Sequence, residues 1–181
     1  MRIRSNSNRW VSYPSPSMPA LRFLAVQPVR NGLGIVALKS FNSGALICEI
    51  DGDIVTSDDV WSFWKSDPRK AANCFRYDAD CYISPHDKIG AFANHSCNPN
   101  VRVVKQTGRL FFRAIKSIAA CTEITHDYST LLGADDSWTM PCNCGEVPCR
   151  KKIRSFHELP TAILKRYLAI QAIPDFILAT R

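Results

Sequence analysis

Three thiols lie within the eight residues Cys142-Asn143-Cys144-Gly145-Glu146-Val147-Pro148-Cys149, with Gly and Pro present to bend the backbone. Such a set can converge on one ion, and tetrahedral zinc in a closed structural site needs a fourth ligand. The chain has eight cysteines; Cys97 and Cys121 are upstream candidates for that position, as are Cys48, Cys74 and Cys81, with the histidines behind them. A second segment, Asn94-His95-Ser96-Cys97-Asn98-Pro99-Asn100, follows the apolar Phe92 and Ala93. Its side chains favour turns and caps, and they suit either a structural turn or a polar ligand. A third, Glu123-Ile124-Thr125-His126-Asp127-Tyr128, closes a polar strand end on a phenol, which serves a core or a reacting site equally. Last, Asn31-Gly32-Leu33-Gly34 lets backbone approach a ligand but lacks the full dinucleotide-binding glycine pattern.

Short strands have to hold these groups. Apolar-rich runs at 22–29, 34–38, 45–50 and 53–55 are separated by Gly, Asn and Ser and predict strands. Thr56-Ser57-Asp58-Asp59 ahead of Val60, Trp61 and Trp64 predicts a short capped helix. Residues 77–84 and 101–114 read as strands, the latter a hairpin turning near Thr107-Gly108. Residues 161–173 carry Ile163, Leu164, Tyr167, Leu168 and Ile170 at helical spacing, and Pro174 stops the helix. Residues 1–20 alternate Ser and Pro without an apolar period and predict a basic, flexible tail. Their Arg- and Ser-rich, acid-free composition also suits a transit peptide, but the prolines oppose the amphipathic helix such peptides use.

With 46% apolar and 22% charged residues in 181, the composition excludes a wholly disordered chain and supports one ordinary domain. No stretch is apolar enough to span a membrane. No secretory h-region follows Met1-Arg2-Ile3-Arg4, so the cysteines are expected in a reducing intracellular compartment, nucleus or cytoplasm, where metal binding is their commoner use. The net charge of +7 is uneven: residues 1–48 carry six bases and no acid, residues 150–181 seven bases against two acids, and residues 49–149 ten bases against fourteen acids. The basic ends, including Arg150-Lys151-Lys152-Ile153-Arg154, suit a nucleic acid or an acidic surface; the acidic middle suits a basic partner.

Taken in order, the four segments resemble the SET-domain family of protein lysine methyltransferases, over about residues 21–150. Asn31-Gly32-Leu33-Gly34 is similar to its opening Gly-x-Gly turn, Glu49-Ile50-Asp51-Gly52-Asp53 to its Glu-Tyr-x-Gly-Glu segment, and Asn94-His95-Ser96-Cys97-x-Pro-Asn to its most specific motif. Glu123 to Tyr128 matches its closing motif, and the Cys-x-Cys-x4-Cys cluster its post-SET element. The resemblance implies a mainly β, α+β fold of small antiparallel sheets, a pseudoknot in which the segment after Asn94 and the Tyr128 segment pass each other, and a post-SET zinc element, to which the spacing at 161–173 adds a C-terminal helix. Together with the tail and the C-terminal helix read above, it divides the chain into a tail at 1–20, a SET domain at 21–133, a zinc element at 134–155 and a helical extension at 156–181. It implies methyl transfer from S-adenosylmethionine to a lysine of a protein substrate. That substrate is expected to be rich in Lys and Arg, a histone tail being one such, with a nucleic-acid contact through the basic ends as a further expectation. The protein is expected to be a monomer with no membrane contact.

By the same resemblance, Asn31, Gly32, Leu33 and Gly34 form the cofactor turn, Asn94 and His95 hold the cofactor, and Phe75 packs on it. Tyr128 is the catalytic residue, orienting the amine. Cys97 joins Cys142, Cys144 and Cys149 around one structural zinc. The lysine must lose its proton, which an apolar channel and a neighbouring sulfonium both favour; alignment supplies much of the rate, on the order of 7–11 kcal/mol. Two positions of the substrate channel depart from the family pattern: Ile50 replaces a channel Tyr, and His126 replaces a Phe or Tyr at a position governing how many methyl groups fit. Ala91 also replaces a common basic residue. A neighbouring sulfonium would hold His126 below its free pKa near 6.5. Ile50 and His126 keep open a second expectation, a SET-fold binding module without turnover.

Overall fold

The chain enters its first hairpin with β1 (Leu24–Val29), which pairs antiparallel with β2 (Gly32–Ala37), Leu24 opposite Ala37. Gly32 at φ +91° makes the tight turn, a conformation that costs glycine little. β3 (Leu46–Glu49) and β4 (Asp53–Thr56) follow. In this computed structural model, residues 21–86 and 88–180 are described. The tail expected at 1–20 lies outside them.

Thr56 caps α1 (Ser57–Ser66) with a capping box: its hydroxyl accepts the Asp59 N–H, and the Asp59 carboxylate accepts the Thr56 N–H at 2.8 Å. Asp67 caps α2 (Pro68–Ala72), whose first-turn Pro68 needs no donor. β5 (Phe75–Arg76) and β6 (Cys81–Ser84) then join β4 in a three-stranded sheet of order β4-β6-β5. The strand expected over 77–84 is therefore shorter, because Asp78-Ala79-Asp80 turns the chain from β5 into β6.

β7 (Asn94–His95) leads into β8 (Val101–Gln106) and β9 (Arg109–Ala114). The last two form the hairpin expected near Thr107-Gly108, both at positive φ, and complete a sheet of order β3-β9-β8. β10 (Thr125–His126) runs parallel to β7, Thr125 beside Asn94 and His126 beside His95. Asn100 reinforces this junction: its amide donates to Glu123 O at 2.7 Å and its carbonyl accepts Thr125 N–H at 2.9 Å. Here the two segments pass each other where the resemblance places its pseudoknot.

β11 (Met140–Pro141) pairs with β12 (Lys152–Ile153) across the cysteine-rich loop. α3 (Thr161–Ala169) ends four residues before the expected limit at 173; Gln171 turns at φ +50° and α4 (Asp175–Leu178) follows Pro174. The core is built from Ile35, Ile47, Ile50, Val101, Val103, Phe112 and Ile124, and Tyr167, Ile173 and Ile177 of the C-terminal segment belong to the same cluster. Cys97, Cys142 and Ile153 form a separate cluster with Tyr128 and Trp138 packed against it. No helix among the described residues is long and apolar enough to cross a membrane.

Candidate functional site

Tyr128 opens a short 3-10 turn (Tyr128–Leu131) that Asp127 caps by accepting the Ser129 N–H at 3.0 Å. Its hydroxyl donates to Ala93 O at 3.0 Å, and its backbone N–H donates to His95 Nδ1 at 3.1 Å. Both bonds tie it to the start of the Asn94-His95 segment. Burial, with Glu123 adding to it, pushes the phenol up to about 12, so it stays protonated at neutral pH.

Beside it, His126 is 3% exposed and sits among aromatic rings: Phe75 stacked at 5.4 Å, Phe112 tilted at 5.4 Å and Tyr128 tilted at 4.8 Å. Neither ring nitrogen has a hydrogen-bond partner among the described residues. Burial drives its pKa down to about 3, with His95 adding to the shift and Asp127 opposing it, so the imidazole is neutral. An unpartnered buried nitrogen is costly and marks a place where a ligand can supply the bond.

His126, Tyr128 and Phe75 line one cavity of about 450 Å³. Its walls come from α1 and α2 on one side (Trp61, Trp64, Ala71), from Gly90, Ala91 and Ala93, and from the 131–138 segment ending at Trp138. Arg76, 5% exposed, ties that loop to β5 through Asp135 at 2.6 Å and Asp136 at 3.1 Å. Ile50 does not line the cavity: it is 1% exposed and lies behind Gly90, whose absent Cβ would approach it at 3.3 Å.

The residues expected around a cofactor gather elsewhere. The Asn94 amide donates to Leu33 O at 3.0 Å and to Glu123 Oε1 at 2.8 Å, fastening β7 to the β2 turn. A Cβ on Gly34 would meet Glu123 Oε1 at 2.5 Å, Val29 Cγ2 at 2.6 Å and Asn94 Nδ2 at 3.0 Å, so any side chain here must displace its neighbours. Asn31, Gly32 and Leu33 present an exposed turn, and Arg30 Nε next to it donates to Asn143 O at 3.1 Å in the cysteine loop. Phe75 is not among this group; it packs against His126 and Phe112.

The four cysteines named from the resemblance converge. Cys97 Sγ is 3.7 Å from Cys142 Sγ, which is 3.6 Å from Cys149 Sγ. Donor atoms of His95, Cys97, Cys142 and Cys144 all lie within 4.8 Å of one another, a cluster able to hold a metal ion. His95 competes poorly as a ligand. Its Nδ1 accepts the Tyr128 N–H, which leaves the proton on Nε2, and Nε2 faces Cys97 Sγ at 3.4 Å as a donor. Burial raises Cys97 to about 11, whereas Cys144 is held near 7 by backbone and thiol hydrogen bonds that outweigh its own burial. Cys121 is exposed on a different loop.

Arg150, Asp127 and Tyr167 form a buried network that sequence reading did not single out. Arg150 Nη2 and the Tyr167 hydroxyl each donate to the Asp127 carboxylate at 2.7 Å, and the Arg150 N–H donates to Cys97 Sγ at 3.4 Å. Asp127 stood in a quoted motif, but Tyr167 looked like one more apolar position of α3. Arg76 and the cavity tryptophans were also missed, since Trp61 and Trp64 at i, i+3 read simply as a helix face.

The SET domain family matches residues 32–129, more than half of the chain. Among curated relatives, "Histone-lysine N-methyltransferase, H3 lysine-4 specific" of Cryptococcus neoformans is 28% identical over 66% of this chain and 9% of its own length. "Putative histone-lysine N-methyltransferase ASHH4" of Arabidopsis thaliana is 31% identical over 71% of this chain and 38% of its own length. The chain thus spans a small part of these relatives. The methyltransferase domain of human SETMAR superimposes with a TM-score of 0.60 at 22% identity, covering 73% of this chain and 58% of that one, a likeness of fold. KRYPTONITE, solved in complex with mCHG DNA and SAH, gives 0.57 at 25% identity over 72% of this chain and 29% of that one.

Proposed function

This chain belongs to the SET-domain family, and from that premise we propose that it is a protein-lysine N-methyltransferase using S-adenosylmethionine. The observation that carries the reading is Tyr128, which lines the aromatic cavity while its hydroxyl and backbone are bonded to the residues on either side of Asn94. It therefore stands between the cavity and the Asn94–Leu33 junction. S-adenosylmethionine, held at that junction by Asn31, Gly32, Leu33, Gly34, Asn94 and His95, supplies an electrophilic methyl group.

The chain's own residues do the rest. The inner end of the cavity, where His126 is 3% exposed, is shut off from water, and that desolvation favours the neutral amine over the ammonium. The Tyr128 hydroxyl has its proton on Ala93 O, which leaves an oxygen lone pair to accept an amine N–H and fix the nitrogen. Neutral His126 adds no repelling charge and offers a second acceptor. Ile50, closed off behind Gly90, shapes the core beneath. Alignment of this kind is the main contribution asked of the protein.

Cys97, Cys142, Cys144 and Cys149 fit one structural zinc ion: four thiol ligands match tetrahedral preference, and His95 donates to one of them from outside. The ion would hold the loop that carries Trp138 to the cavity wall. The names of the curated relatives and the acidic middle of the chain support a basic protein segment as substrate, a histone tail being one such. The basic ends suit a nucleic acid beside it, and KRYPTONITE was solved in complex with DNA.

The test is transfer of a labelled methyl group from S-adenosylmethionine to proteins of a whole lysate, with product mass recorded. Label on lysine supports the reading. Tight binding of S-adenosylhomocysteine with no transfer to any protein would replace it with the non-catalytic binding module.

A further inference from the structure

The cavity beside Tyr128 is larger than an amine site requires. At about 450 Å³ it is of the size that encloses a drug-sized ligand, whereas one four-carbon side chain fills only part of it. Exposure rises along its lining from His126 at 3% to Trp61 at 66%, so His126 marks the inner end and Trp61 the mouth.

The mouth has its own chemistry. Ser57, Val60, Trp61 and Trp64 line it at i, i+3, i+4 and i+7, one face of α1. Asp80 O accepts the Ser57 N–H at 3.2 Å, which places Asp80 against the first turn of that face, one turn from Trp61. The lining carries Asp80, Asp135 and Asp136 against a single cation, Arg76. Arg76 is paired with Asp135 and Asp136, and the Asp80 carboxylate has no ion pair among the described residues. An exposed indole and a carboxylate without an ion pair thus line the same cavity, whose lining is net negative.

We propose that this mouth is a second subsite, which takes the guanidinium of an arginine flanking the target lysine. The inference rests on the reading of the inner end as the lysine site. A guanidinium suits the pair because its flat face packs on an indole while its edge forks to a carboxylate, and it sheds water more readily than an ammonium. A neutral or acidic flanking residue would leave Asp80 without a partner. Specificity then comes from both ends of one cavity: the inner end selects an amine and the mouth selects the sequence around it.

The experiment titrates the full chain with Nα-acetylarginine amide and with the uncharged isostere Nα-acetylcitrulline amide, followed by tryptophan fluorescence. In parallel, single-lysine peptides carrying arginine or citrulline at each flanking position are assayed for methyl transfer. Arginine is expected to bind at least about tenfold more tightly than citrulline, and Asp80→Asn to remove that preference. A Trp61→Ala variant should weaken arginine binding while leaving the citrulline value little changed. Equal affinity for the two amides, or an arginine preference that survives Asp80→Asn, overturns the subsite. Arginine preference without methyl transfer to any peptide keeps the subsite and overturns the proposed reaction; transfer indifferent to arginine does the reverse.

Discussion

Tyr128 and His126 share one aromatic nest but differ in how their polar atoms are satisfied. The Tyr128 hydroxyl donates to Ala93 O, so Tyr128→Phe should lower stability by about 1 kcal/mol, the loss of one ordinary hydrogen bond, which urea unfolding would measure. His126 has no such bond to lose. Its folded pKa near 3 lies below the free value near 6.5, so between those values the unfolded chain binds the extra proton. Its contribution is fully present above about pH 6.5 and falls, by roughly 1.4 kcal/mol for each pH unit, as pH drops toward 3. His126→Phe should remove that slope, so the variant gains on the wild type between pH 6.5 and 4.5 in urea unfolding. Parallel stability curves for the two proteins would show that His126 is solvated. Depression chiefly by burial also moves any acid limit that His126 sets on activity far below neutral pH, where the sequence had suggested repulsion from a sulfonium as the cause.

The β1–β2 turn is tightly fitted at Gly34, where a methyl group would collide with Glu123 and displace the Asn94 amide. Gly34→Ala should cost about 1–3 kcal/mol of stability and weaken S-adenosylhomocysteine binding in calorimetry, because it separates β2 from β7. The cysteine element behaves differently. It clusters with Tyr128, Leu132 and Trp138 rather than with the main core, so removing metal with a chelator, or Cys97→Ser, should abolish most activity while the thermal midpoint shifts little. A collapse of the whole fold on chelation would contradict that separation. The sequence announced the elements with local causes: Thr56 and Asp59 for α1, Thr107-Gly108 for the β8–β9 hairpin. Local pattern did not announce the two-residue pairing of β7 with β10, because a match of Asn94-His95 with Thr125-His126 depends on partners about thirty residues away; only the family resemblance brought these segments together. The turn at Asp78-Ala79-Asp80 was hidden inside an apparently continuous strand.

Across the whole molecule, the catalytic and metal-binding candidates were legible because their types and spacings are unusual, and the structure brings Cys97 to Cys142 and Cys149 from 45 and 52 positions away. What joins them was not legible. Tyr167, 39 residues beyond Tyr128, reaches Asp127 from α3, and Arg150 links the same carboxylate to Cys97. The C-terminal helices are therefore packed into the main core and bonded to the site. The uneven charge has a local counterpart in the negative cavity lining.

The central claim is that Tyr128 aligns a lysine amine in this cavity for methyl transfer. Its most direct test is single-turnover transfer of labelled methyl from S-adenosylmethionine to a lysine-containing substrate found in the lysate, comparing wild type with Tyr128→Phe and checking S-adenosylhomocysteine affinity for both. The account predicts label on lysine, a rate at least about tenfold lower in the variant, and nearly equal affinities. Equal rates for the two proteins would contradict it.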